Sequence, residues 1–280
     1  MSHSPLQIAA CLQQLRREPS VLIGREQESA IVRTHLRARR PVFVSGPSGV
    51  GKSALLQATV GAWSAEREGF PLFYCAESGT RRGIATHILV NLFLHRGRLE
   101  SRYIERRKTV ASLSGLRRFV ADERLADLKR MMHQNLGGDP VCLLLDHLDD
   151  PDPKVASLIE VWLETTPLVL VARNADAVGR VRWLLSAFEC LELLPLPEAA
   201  LLRLTRDMAG KLGAHLREAD VHEAVALATG NPAQVRRLLH AAARPEYQKS
   251  GAVQWKLVQL DERIRAIGLG EHGGSRRRSA

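Results

Sequence analysis

The segment GPSGVGKS, Gly46 to Ser53, constrains this 280-residue chain more than any other stretch. It satisfies G-x-x-x-x-G-K-[ST] in full and lies between the β-branched run PVFVSG, 41–46, and KSALLQATVGAW, which reads as a helix. A chain that carries it must build a strand, a glycine turn and a helix in immediate succession. The glycines let the backbone curl so that its N–H groups point inward at phosphate oxygens, and the helix N-terminus adds positive partial charge. Lys52 is expected to reach the β- and γ-phosphates of a nucleotide, and Ser53 to ligate Mg2+. The expected cradle is Gly46, Pro47, Ser48, Gly49, Val50, Gly51, Lys52, Ser53 and Ala54, with ATP and Mg2+ as its cofactors.

Further strands are read at PLFYCAE (71–77), VCLLLD (Val141 to Asp146), PLVLVARN (Pro167 to Asn174) and CLELLPL (190–196). Ahead of the first strand, VLIGREQESAIVRTHL reads as a short apolar entry and an amphipathic helix with Ile31, Val32 and Leu36 toward one side, and helical patterns such as GIATHILVNLFL, KVASLIEVWLE and AVGRVRWLLSAF lie between the strands. Continuous apolar strands alternating with helices mean a parallel sheet covered on both faces. The fold class expected is therefore α/β, a P-loop NTPase three-layer sandwich with a five-stranded parallel sheet. After Pro197 the pattern turns to helices only, so a small all-helical lid domain is expected over 197–267. The nucleotide-binding domain would span 21–196, preceded by an N-terminal helix within 1–20 (Pro5 to Arg17) and followed by a flexible tail over 268–280.

The charge of +10 is unevenly placed. Residues 96–130 hold eleven Lys or Arg against five Asp or Glu, and Arg276, Arg277 and Arg278 add three more positive charges at the tail. Such patches favour a polyanion such as nucleic acid, or serve only as solvated helix faces. Cys11, Cys75, Cys142 and Cys190 have no metal-ligand spacing and the last three fall in apolar runs, so buried reduced thiols are expected. The N-terminus MSHSPLQ has no basic signal region, and no apolar run is long enough to cross a bilayer. The expectation is a cytoplasmic protein with no membrane partner.

The second half of a phosphate site needs an acid at the end of a neighbouring buried strand. LLLDHLDD offers Asp146, which would hold the Mg2+ water shell, the alternative being a helix cap. Many enzymes of this class place a Glu directly after that Asp to activate water. Here His147 stands there, either as a base or as a solvent-facing histidine, and Asp149 and Asp150 are the substitutes. Slow turnover follows as an expectation.

Beyond the phosphate loop, IGRE at 23–26 and GNPAQVRR at 230–237 make the chain resemble an AAA+ ATPase of the branch that includes STAND signalling ATPases and origin initiators, over roughly residues 21–266. The resemblance implies that Ile23, Gly24 and Arg25 border the adenine pocket. It implies that Arg173 or Asn174 is the sensor 1 residue at the γ-phosphate, and that Arg236, rather than Arg237, is the sensor 2 arginine. It also implies a homo-oligomer when ATP is bound, with Arg180 and Arg182 in the region of an inter-subunit arginine. Two functions follow. The first is a DNA-associated ATPase, with ATP controlling assembly through the basic insertion 96–130 and the tail 276–278. The second is a STAND-like switch that contacts other proteins, with little or no hydrolysis.

Overall fold

The computed structural model describes residues 22–66, 72–97, 99–101, 108–110, 112–136, 141–163, 166–213, 216–249, 251–261 and 263–264. The expected N-terminal helix and the arginine tail lie outside them, as does Cys11. The chain divides into two units, Met1–Ser48 with Lys52–Leu194, and Gly49–Gly51 with Pro195–Ala280.

The first unit opens with helix α1 (Glu26–Arg37), strand β1 (Val42–Ser45) and helix α2 (Lys52–Glu66). Strand β2 (Leu72–Cys75) and helix α3 (Arg81–Arg96) follow, then strands β3 (Leu99–Ser101) and β4 (Lys108–Val110) and helices α4 (Leu113–Asp122) and α5 (Leu125–Leu136). Strand β5 (Cys142–Leu145), helix α6 (Ala156–Leu163), strand β6 (Leu168–Val171), a 3-10 segment (Asp176–Ala187) and strand β7 (Glu189–Glu192) complete it. Five strands pair in the order β2-β5-β6-β1-β7, all parallel. The expected α/β sheet is thus the observed one. Its four strands β1, β2, β5 and β6 are buried at every position, because helices cover both faces and an uninterrupted apolar run is the only pattern that suits such a strand.

Several readings are corrected. In α1, Val32 and Leu36 are fully buried, but Ile31 is 37% exposed. Residues 32 and 36 stack on one helix face, whereas a neighbour one position away is turned by about 100°. AVGRVRWLLSAF is 3-10 rather than α, and Gly179 at φ 57 breaks it. Cys75 and Cys142 are buried, but Cys190 is exposed. It sits on edge strand β7, where Glu189, Cys190 and Glu192 all face solvent. The basic insertion contains an antiparallel hairpin, β3 with β4, ahead of its two helices.

The second unit packs three helices, α7 (Glu198–Lys211), α8 (Glu218–Ala228) and α9 (Pro232–Ala242). The all-helical expectation fails here by one element. A short hairpin, β8 (Gln248–Lys249) with β9 (Ala252–Val253), precedes the helical residues 255–261. Helix α9 starts where Asn231 accepts from the Ala233 and Gln234 amides at 3.0 and 3.2 Å, with Pro232 at the first position. Gly230, at φ 81, is required: a Cβ there would lie 2.5 Å from Pro195 Cβ and 3.0 Å from the Leu196 carbonyl.

Candidate nucleotide site

Strand β1 ends at Ser45 and α2 starts at Lys52, so the motif occupies the strand-to-helix turn and Lys52 and Ser53 open the helix. Gly46, Gly49 and Gly51 have φ values of 147, 82 and 106, and a Cβ on Gly51 would meet nothing within 4 Å. The turn needs glycine for its backbone, with open space at Gly51, while at Gly49 a Cβ would lie 2.6 Å from Asn231 Oδ1. Val50 is buried at 1% exposure. Ser53 is exposed, and Pro47 and Ser48 lie at the surface of the loop. Lys52 Nζ donates to the carbonyls of Gly46 (2.5 Å) and Pro47 (3.0 Å), folded back on its own loop.

Strand order decides what surrounds that lysine. Because β6 lies between β1 and β5, the residue that follows it sits beside both the phosphate turn and the acidic turn after β5. Arg173 does so with its main chain: its carbonyl accepts from Gly46 N (3.0 Å), and its N–H donates to Asp149 Oδ1 (3.0 Å). Its guanidinium also pairs with Asp149, Nε to Oδ2 at 3.3 Å. Asn174 is engaged otherwise. Its side chain accepts from Ala177 N (2.7 Å), in the first turn of the 3-10 segment.

Asp146 is 2% exposed. Its Oδ1 accepts from His147 N (2.8 Å), and its Oδ2 accepts from the Tyr74 hydroxyl (2.9 Å). Burial pulls the Lys52 ammonium below the usual lysine range, the charges of Asp146 and Asp149 oppose that pull, and Arg173 adds to it. Lys52, Asp146, Asp149 and Arg173 therefore share one electrostatic neighbourhood. His147 takes a left-handed φ of 54 and is exposed, and Asp150, at φ 49, is exposed as well. Both kinks lie just past β5, where the chain leaves the sheet.

A buried carboxylate beside an ammonium, at the carboxyl ends of neighbouring parallel strands, fits a phosphate with its divalent cation. Main-chain N–H groups of the turn and Lys52 would hold the phosphates, and Ser53 and Asp146 would hold Mg2+. Bound there, Mg2+ would neutralise phosphate charge.

The IGRE residues are placed as follows. Ile23 and Gly24 are half-buried, and Gly24 N donates to Glu26 Oε1 (3.1 Å). Arg25 is 5% exposed, and its guanidinium donates to Glu28 (2.7 Å) and to the Leu194 carbonyl. It fastens the start of α1 to the chain after β7. Arg236 and Arg237 lie exposed on α9. Arg182 is paired with Asp176 at 2.5 Å, and Arg180 is exposed nearby. Tyr74 is the residue that sequence reasoning missed, since a tyrosine inside an apolar strand looks like core.

A parallel sheet in this order, with a glycine phosphate turn after β1 and a buried Asp after β5, defines the P-loop NTPase fold. The AAA ATPase domain profile matches residues 21–173, more than half of the chain, and the chain belongs to that family. The family implies nucleotide binding. No curated protein matches the chain in sequence. Among solved structures it is similar to the Orc1 protein of Aeropyrum pernix in complex with DNA, with TM-score 0.60, 17% identity, 90% of this chain and 69% of that one. It is similar to a Walker-type ATPase of Pyrococcus abyssi, with TM-score 0.58, 19% identity, 92% of this chain and 77% of that one. It is also similar to Cdc6p of Pyrobaculum aerophilum, with TM-score 0.58 and 14% identity, where 82% of this chain covers 65% of that one. At such identities the likeness concerns the fold.

Proposed function

We propose that this chain is an ATP- and Mg2+-binding AAA+ ATPase of the origin-initiator and STAND branch, with slow hydrolysis, that uses ATP to control its assembly on DNA or to regulate a DNA complex. The observation that carries the nucleotide part is the grouping of Lys52, Asp146, Asp149 and Arg173 around the glycine turn. Slow hydrolysis is supported by the acidic turn: no carboxylate directly follows Asp146, and Asp149 is engaged by Arg173. Arg173 is the better sensor 1 residue of the two, because the Asn174 side chain is held by Ala177 N while Arg173 joins the phosphate turn to Asp149. The reading includes a cytoplasmic location and a homo-oligomer.

The DNA part is supported by Arg96, Arg118, Arg124 and Arg130, all exposed within 96–130, and by the neighbour from Aeropyrum pernix solved in complex with DNA. If all four meet phosphates, log affinity for duplex DNA falls against log salt with a slope of about −3.6. The alternative is a STAND-like switch between nucleotide states. It is favoured by the Arg173–Asp149 pair, which a γ-phosphate would compete with for the guanidinium.

The experiment is ATP turnover by the purified chain with and without duplex DNA at low salt, beside Lys52→Ala. Stimulation by DNA that vanishes in the variant supports the first reading. Tight ATP binding with negligible turnover in both conditions supports the switch, and absence of nucleotide binding overturns both.

A further inference from the structure

Among the described strands β2 is an edge of the sheet, so none of them pairs with Tyr74 on its outer side. The side chain of Asn91, buried on α3, takes that place. Tyr74 N donates to Asn91 Oδ1 (3.2 Å), and Asn91 Nδ2 donates to the Tyr74 carbonyl (3.2 Å) and to the His87 carbonyl (2.6 Å). One amide thus reproduces both bonds of a missing ladder rung and fixes the Tyr74 main chain.

The register then directs the phenol. Tyr74 pairs with Leu144, and Asp146 projects to the same face two residues further on. Two residues of a parallel strand rise about 6.6 Å, close to the reach of a tyrosine side chain. The hydroxyl arrives at Asp146 Oδ2 at 2.9 Å, between two residues that are 8% and 2% exposed. A phenol is a neutral donor. It orients a carboxylate without cancelling its charge, as an arginine would. Among the described residues no Lys or Arg forms an ion pair with Asp146, so both carboxylate oxygens are held by neutral groups and the negative charge remains for a cation.

We propose that Tyr74 is a positioning residue for the metal-side carboxylate: its hydroxyl, braced by Asn91, holds Asp146 in the orientation that receives Mg2+. The inference rests on the ATP and Mg2+ reading above. Neighbours that orient a metal ligand are worth about 10- to 100-fold in metal affinity.

The test uses the full chain, with MANT-ATP as fluorescent probe and MgCl2 titrated from an EDTA-treated start, in wild type, Tyr74→Phe, Asp146→Asn and the double variant. Thermal unfolding without nucleotide accompanies each. For Tyr74→Phe, the Mg2+ concentration at half-effect should rise about 10-fold, with MANT-ATP affinity in EDTA within about twofold of wild type. In the Asp146→Asn background the same substitution should add nothing, since it acts through that carboxylate. Should Tyr74→Phe fail to fold, Asn91→Ala, which keeps the phenol and loosens its strand, should raise the Mg2+ requirement about threefold. An unchanged Mg2+ requirement in the folded variants overturns the inference while leaving ATP binding in place. A wild-type chain that binds no MANT-ATP removes the ATP reading itself.

Discussion

Among the described residues each unit buries one carboxylate almost completely, Asp146 in the first at 2% exposure and Asp220 in the second at 3%. Their surroundings differ in kind. Asp220, on α8, takes the Arg217 guanidinium at 2.8 and 3.3 Å, Trp255 Nε1 at 3.2 Å and Val253 N at 3.4 Å. The Arg217 hydrogen bond, ahead of the Trp255 and Val253 donors, holds its carboxyl below the usual range against the opposing effect of burial. A cation and three elements converge on it, and its capacity is used up in joining α8 to the hairpin and the last helix. Asp146 has two neutral donors, and its charge opposes the pull of burial on the Lys52 ammonium. Two equally buried acids of one chain thus separate into a staple and a ligand according to whether a fixed protein cation has claimed the charge.

Lys52→Ala tests the ligand side most severely. Removing the only ammonium of the turn should weaken MANT-ATP binding by about 100-fold, equivalent to about 2.7 kcal/mol, measured by titration at saturating Mg2+. Asp220→Ala tests the staple. It leaves Trp255 Nε1 and Val253 N without their acceptor and should cost about 2 kcal/mol in denaturant unfolding, with nucleotide binding intact. Asp146→Asn should do the reverse, costing less stability than Asp220→Ala while raising the Mg2+ concentration at half-effect by about 10-fold or more. If both variants lose stability equally, the distinction between staple and ligand falls.

Acid sharpens the contrast. Because the folded carboxyl of Asp220 is lowered from an ordinary value of 3.8, its stabilisation is fully present above that value and is lost as pH falls through the folded one. The gap in thermal midpoint between wild type and Asp220→Asn should therefore stay constant from pH 7 to about 5 and close below about 4. The smallest effect is expected for Arg182→Ala. Its pair with Asp176 is exposed on both sides, at 62% and 78%, and should shift stability by less than about 0.5 kcal/mol.

The sheet and the phosphate turn were readable from the chain alone because both use composition that nothing else explains. Three consecutive apolar positions at 42–44 and four at 72–75, 142–145 and 168–171 leave no polar face, and the glycine spacing of 46–53 needs positive φ at fixed places. What escaped reading is contact chemistry. Tyr74 is one more large side chain in an apolar run until the register of β2 on β5 puts its hydroxyl at Asp146. Asn91 looks like a stray polar residue in a helix until the open edge of β2 gives it two bonds. Asn174, an equal candidate with Arg173 by position, is separated from it only by the bond to Ala177. Ile31 and Cys190 misled for the opposite reason, since apolar character alone does not say which side of an element meets solvent.

The two main-chain bonds of Arg173 have a mechanical meaning. Its carbonyl is tied to Gly46 and its amide to Asp149, so one residue is yoked to the loop that would meet phosphate and to the acidic turn beside it. A shift of either flank would load the other through that residue. A pull on the guanidinium would be felt on both sides at once, as tension on a knot draws both cords.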